Sequence, residues 1–128
     1  MPSTFALLDL GDSQFVSLTT FRKTGVGVAT TVWIARDGDA LLVTTPQGSG
    51  KVKRLRNNSR VELRPCSRMG KVADDAPTAG GHAEIIEETP AFASVFRKKF
   101  GLQYRLFMAI EKLSKKGKRP RFILRITD

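Results

Sequence analysis

The chain has 128 residues, 41% of them hydrophobic and 27% charged, which suits one domain over residues 1–128 and leaves too little for a second. No apolar run approaches the roughly 20 residues that cross a bilayer, and the opening MPSTFALLDLGDSQF has neither a basic start nor a cleavable apolar core, so a cytoplasmic protein is expected. The single cysteine, Cys66, excludes an internal disulfide and a cysteine zinc site, whereas a formal net charge of +10 calls for a polyanion, an anionic ligand or a broadly solvated basic surface.

Ser3 is placed to cap a short amphipathic helix over Thr4 to Asp9, ended by Gly11. Phe15 to Arg22 and Val26 to Arg36 are rich in β-branched and aromatic residues, and Lys23-Thr24-Gly25 between them reads as a hairpin turn. Asp37-Gly38-Asp39 turns the chain again into Ala40 to Thr45, D-G between apolar runs being a strong hairpin signal. Pro46, Gly48 and Gly50 then bend the chain before a short helix over Lys51 to Asn57. Ser59 to Arg68 alternates as a half-exposed strand. Polar Lys71 to Thr78 connects it to a fifth strand, Ala79 to Glu88, in which Gly80-Gly81 marks a bulge or a close backbone approach.

Thr89 caps a helix with Pro90 in its first turn and Phe92, Val95, Phe96 and Phe100 at helical spacing, stopped by Gly101. A second helical stretch, Leu102 to Ser114, is expected to bury Leu106, Phe107, Ile110 and Leu113. After a basic turn over Lys115 to Pro120, Arg121 to Thr127 alternates as a sixth strand. A strand meander with late helices predicts a mainly β fold, a six-stranded antiparallel barrel whose closure removes exposed edges.

The charge is concentrated in two places. Lys51 to Lys71 holds eight basic residues against Glu62 alone, and Arg97 to Arg125 holds eleven against Glu111 alone, so two basic regions can face one site. The first opens in TTPQGSGKVKRLRNN, where small residues at a strand exit let backbone N–H groups converge on an anion and Lys51 opens a helix. This is not the nucleotide P-loop, because no G-x-x-x-x-G-K-[ST] frame exists. A nucleic-acid module is disfavoured, since Lys51 to Lys71 contains no aromatic residue on which bases would stack.

The order of elements and their residues resemble the split β-barrel flavin and deazaflavin oxidoreductases related to pyridoxamine phosphate oxidase, in their short actinobacterial branch. The resemblance is carried by FVSLTTFRKTG, VATTVWIARDGDALLVTT, SGKVKRLRNNSRVEL, GGHAEIIE and RFILRITD, in that order and over most of the chain. It implies a homodimer with a flavin-type cofactor in a groove between subunits. It further implies that the backbone of Thr30, Thr31, Val32 and Trp33 meets the polar edge of the ring, that Thr44 and Thr45 follow from the third strand, and that Ser49, Gly50 and Lys51 form the phosphate turn. Arg54 and Arg56 come next as candidates for further negative charge, and the partner would contribute near Gly80 and Gly81. The chain departs from the family pattern where Gly27 and Thr31 replace prolines, and where Gly50 replaces the arginine that holds FMN phosphate in the oxidases proper.

That last departure and the basic surplus favour coenzyme F420, with its phosphodiester and oligoglutamate tail, over FMN. Several weak charge pairs with Lys53, Arg54, Arg56 and Arg60 along one groove accumulate affinity. The resemblance thus implies an oxidoreductase moving a hydride from reduced deazaflavin to a small electron-poor substrate. An FMN enzyme of the same fold and a non-catalytic coenzyme carrier are the alternatives. Hydride transfer needs positioning and exclusion of water more than acid–base side chains. No catalytic side chain and no metal ligand is assigned: His82 reads as structural, Trp33 as a pocket wall or core residue, and Tyr104 as a helix residue.

Overall fold

The computed structural model describes residues 7–74, 76–103, 106 and 121–128. Residues 7–9 are helical and pass into a 3-10 turn, Leu10–Asp12. Seven strands follow: β1 (Phe15–Phe21), β2 (Gly27–Trp33), β3 (Ala35–Asp37), β4 (Ala40–Pro46), β5 (Arg60–Pro65), β6 (Ala79–Glu87) and β7 (Arg121–Thr127). Two helices are described in full, α1 (Gly50–Asn57) and α2 (Pro90–Phe100).

All seven strands join one antiparallel sheet in the order β2-β1-β5-β6-β7-β4-β3. The six-stranded expectation is corrected at a single residue. Val26 to Arg36 does not run as one strand, because the chain changes partner at buried Ile34: Trp33 pairs with Phe15 of β1, while Ala35 pairs with Leu42 of β4. The two edges of the sheet are therefore consecutive in sequence, and the sheet curls back on itself with a split between β2 and β4.

Local chemistry sets the corners. Gly25 and Gly38 adopt φ of +89° and +61°, the left-handed region that β-carbons disfavour, and so make the two hairpin turns that the sequence predicts. The Thr89 hydroxyl accepts the Phe92 N–H at 3.5 Å with Pro90 in the first turn, and Gly101 ends α2 at φ +56°. Alternation then sorts the faces. Val16, Leu18, Val61, Leu63, Leu124 and Ile126 fill the inside of the curled sheet, and Leu55 of α1 joins them. Phe96 and Phe100 of α2 cover its outside with Ala35, Leu42 and Ile123, against which Trp33 and Phe92 pack.

Gly80-Gly81 is a close approach and not a bulge, since β5 and β6 stay in register from Arg60↔His82 to Leu63↔Ala79. A β-carbon on Gly81 would stand 2.6 Å from the Thr127 carbonyl oxygen, and one on Gly80 would meet nothing closer than 3.9 Å. Gly81→Val is accordingly expected to cost about 2–3 kcal/mol in urea unfolding. Gly80→Ala should cost less than about 1 kcal/mol.

The start of the opening helix, including Phe5, lies outside the described residues, as do Phe107, Ile110, Leu113 and the basic turn over Lys115 to Pro120. Leu106 was expected to be buried and is instead 59% exposed in the single chain, with Leu102 79% exposed beside it. Their helical stretch follows the Gly101 stop, beyond the face with which Phe96 and Phe100 cover the sheet.

Candidate functional site

β3 pairs only with Ala40 to Leu42, so β4 runs on to Pro46 with β7 on one side and the split on the other. Across that split stands β2, an edge strand bonded to β1 alone. An edge strand directs alternate backbone N–H and C=O groups away from its only neighbour. A cavity of about 320 Å³ lies there, walled by Thr31, Val32 and Trp33 from β2 and by Thr44, Thr45 and Pro46 from β4. Phe15, Lys51, Arg68 and Arg121 complete its lining.

Its aromatic wall is fixed by stacking. Trp33 lies on Phe100 with ring centroids 5.0 Å apart and planes at 18°, and Phe15 meets its edge at 6.4 Å. The polar wall is fixed by hydrogen bonds. Arg121, only 8% exposed, donates from Nε to Thr44 Oγ1 at 2.9 Å, and Thr44 donates to Glu88 Oε2 at 3.2 Å. The one proton of the Thr44 hydroxyl is thus given to Glu88, so Thr44 offers a ligand no donor and serves to hold Arg121. Thr45 Oγ1 donates to Ser49 Oγ at 3.0 Å, which turns Ser49 away from a side-chain cap on α1 and ties the turn to the strand.

Burial pushes the Lys51 ammonium below the usual lysine value, and the positive charges of Arg54 and Arg121 push it further in the same direction. Among the described residues the one ion pair is Arg60–Glu62, at 2.8 Å, and no carboxylate lines the cavity. Lys51 therefore stands half-buried among cations, an environment that a bound anion relieves. Cys66 is held close to Thr31: burial raises its thiol pKa while a hydrogen bond with Thr31 opposes the shift, which leaves the thiol protonated and unreactive at neutral pH.

Of the residues singled out from the sequence, Thr31, Val32, Trp33, Thr44, Thr45 and Lys51 meet at the cavity. Thr30 does not line it, and its Oγ1 is buried without a hydrogen-bond partner among the described residues. Ser49 sits behind Thr45. A β-carbon on Gly50 would lie 2.9 Å from a terminal nitrogen of Arg54, so Arg54 fills the place of a side chain at position 50 while its Nε donates to Thr20 Oγ1 at 2.6 Å. Arg56 is exposed. Gly81 is buried within its own sheet. Sequence reasoning missed Phe15, Pro46, Arg68 and Arg121. The register that sets Phe15 opposite Trp33 and Arg121 opposite Pro46 brings in two of them.

The family model of pyridoxamine 5'-phosphate oxidase matches residues 6–127, and the chain belongs to that family, which includes oxidoreductases and binds flavins or related cofactors. Three solved structures show how widely its fold is shared. A conserved hypothetical protein from Mycobacterium tuberculosis superposes with a TM-score of 0.64 at 23% identity, over 99% of this chain and 81% of that one. An F420 reductase superposes with a TM-score of 0.57 at 21% identity, over 100% and 96%. A heme storage protein from Vibrio cholerae superposes with a TM-score of 0.61 at 12% identity, over 100% and 92%. No curated protein matches the chain.

Proposed function

We propose that this chain is a cytoplasmic, homodimeric oxidoreductase that uses coenzyme F420 and reduces a small electron-poor substrate. The observation that carries the reading is the cavity at the split, where a strand edge at Thr31 to Trp33 faces a basic end at Lys51 and Arg121, with no acid among the described lining residues. The donor set fits a planar heterocycle joined to a phosphate. Outward-facing backbone groups of Thr31 and Trp33 would meet the ring's polar edge, the Trp33 side chain would wall it, and Lys51 with Arg121 would take the phosphodiester. Exposed Lys53 and Arg56 on α1 would meet the oligoglutamate tail. When bound, the reduced coenzyme supplies a hydride, with a proton from solvent completing the reduction of the substrate.

FMN fits less well, because the volume of a side chain at Gly50 is taken by Arg54, which is held by Thr20 and does not line the cavity. Heme finds less support still. The only histidine, His82, is exposed on β6 and hydrogen-bonded through Nδ1 to Ser59 Oγ at 3.0 Å, away from this lining. Titrating the purified protein with reduced coenzyme F420 and with FMN tests the proposal. Tighter binding of the deazaflavin, followed by turnover of enones or quinones, supports it; indifference to both cofactors overturns it, and binding without turnover leaves a coenzyme carrier.

A further inference from the structure

The cations of the cavity stand on two different sides. Arg121 is paired across from Pro46 in the β4–β7 ladder, and Lys51 begins α1 just after β4. Arg68 comes from the β1–β2 side. Its loop is hung from β1 by the Cys66 N–H, which donates to the Phe15 carbonyl at 3.3 Å, and it rests on β2 at Gly70. A β-carbon at Gly70, whose φ is +85°, would stand 2.6 Å from Thr31 Oγ1, so the loop lies as close to that strand as backbone can.

The loop is also braced within itself. Gly70 N–H donates to the Ser67 carbonyl and Ser67 N–H to the Lys71 carbonyl, each at 2.9 Å, and Lys71 N–H donates to Ser67 Oγ at 3.1 Å. Arg68 is therefore carried on a small fixed platform beside Thr31. The charges that depress Lys51 are those of Arg54 and Arg121, in keeping with a separate position for Arg68. The phosphate end of the cavity is already served by the other cations. Arg68, exposed on that platform, lines the cavity from the β2 side, on a different element from Lys51 and Arg121.

We propose that Arg68 recognises a carboxylate on the substrate, so that the preferred substrates are small unsaturated acids and not neutral enones. This rests on reading the cavity as a cofactor pocket. The guanidinium offers a planar pair of N–H donors that matches a carboxylate in two parallel hydrogen bonds, which an ammonium cannot reproduce. The alkene of such an acid gains a hydride and a solvent proton while the coenzyme is oxidised by two electrons. Arg68 takes no part in that exchange and acts by holding the carboxylate.

The test compares a carboxylate with its neutral ester. Binding of 3-benzoylpropionate, a saturated and unreactive acid, and of its methyl ester is measured by calorimetry on the protein alone and on protein loaded with oxidised coenzyme F420. In the condition where the wild type binds, Arg68→Ala is expected to weaken the acid about tenfold and leave the ester unchanged, Arg68→Lys to fall between, and Arg22→Ala, on the exposed β1–β2 turn, to have no effect. Turnover of 3-benzoylacrylate and its ester should show the same tenfold split in kcat/KM. Failure of the wild type to bind the acid in either condition, or equal losses for acid and ester, overturns the assignment. A separate titration of Arg68→Ala with coenzyme F420 should match the wild type. Weakened coenzyme binding would assign Arg68 to the cofactor and overturn the proposal, whereas a wild type that ignores the coenzyme yet binds the acid through Arg68 would sink the cofactor reading alone.

Discussion

Lys51→Ala is expected to weaken binding of reduced coenzyme F420 by about 10- to 100-fold, whereas Lys23→Ala on the exposed β1–β2 turn should leave it within about threefold. A hydrogen bond to a charged group contributes about 1.5–3 kcal/mol, and each 1.4 kcal/mol is a factor of ten in affinity. The direction of the Lys51 pKa adds a second signature. Burial, Arg54 and Arg121 hold it below 10.5 in the folded protein. The folded chain thus binds fewer protons than the unfolded one in the window from that lowered value up to 10.5, so stability rises with pH across the window. Below it, the charged Lys51 carries its full desolvation cost. A bound phosphate reverses the balance by favouring the ammonium, and affinity should therefore fall as pH rises through the lowered value. Lys51→Ala should flatten this pH profile and, unlike a packing mutation, should not lower the melting temperature. Equal effects of Lys51→Ala and Lys23→Ala would place the anion elsewhere.

Much of the fold was legible because its signals are local. Asp37-Gly38, Thr89-Pro90 and Gly101 each act within a few residues, and the structure places turns, cap and stop where those residues stand. The break at Ile34 was not legible. Val26 to Arg36 is one β-rich run, and what divides it is a change of partner from β1 to β4, a property of the curled sheet and not of the segment.

The site divides along the same line. Thr31, Val32, Trp33, Thr44, Thr45 and Lys51 lie on the three elements, β2, β4 and α1, that the resemblance and the glycine-rich turn picked out. Arg121 stood in the second basic region, but only the β4–β7 register places it at Pro46. Arg54 and Arg56 could have been told apart from the sequence. Residues two apart on a helix point to nearly opposite sides, and Arg54 reaches in to Thr20 while Arg56 is exposed.

The second large effect is expected at Lys99, outside the cavity at the split. Its Nζ donates to the carbonyls of Gly11, Ser13 and Ile34, the last at 2.7 Å, and lies 5.3 Å from the Phe100 ring centroid. Burial pushes the ammonium below its usual value, with Asp12 opposing, so desolvation offsets part of what the three bonds contribute. Removing the donor is still costly, because carbonyls of the 3-10 turn, the β1 approach and the β2–β3 break lose a shared partner at once, and buried groups left unmatched cost about 1–3 kcal/mol each. Lys99→Met keeps the aliphatic stem and should lower stability by about 2–4 kcal/mol, or roughly 6–15 °C in melting temperature for a domain of this size. Lys98→Met, exposed beside it, should shift melting by less than about 2 °C. Ile34 is the residue at which the sheet changes edge, and its neighbour Trp33 walls the cavity. Loosening its carbonyl should therefore also weaken coenzyme binding at temperatures where Lys99→Met remains folded. A variant that melts early yet binds the coenzyme as the wild type does would show that Lys99 fastens the helix without setting the width of the split.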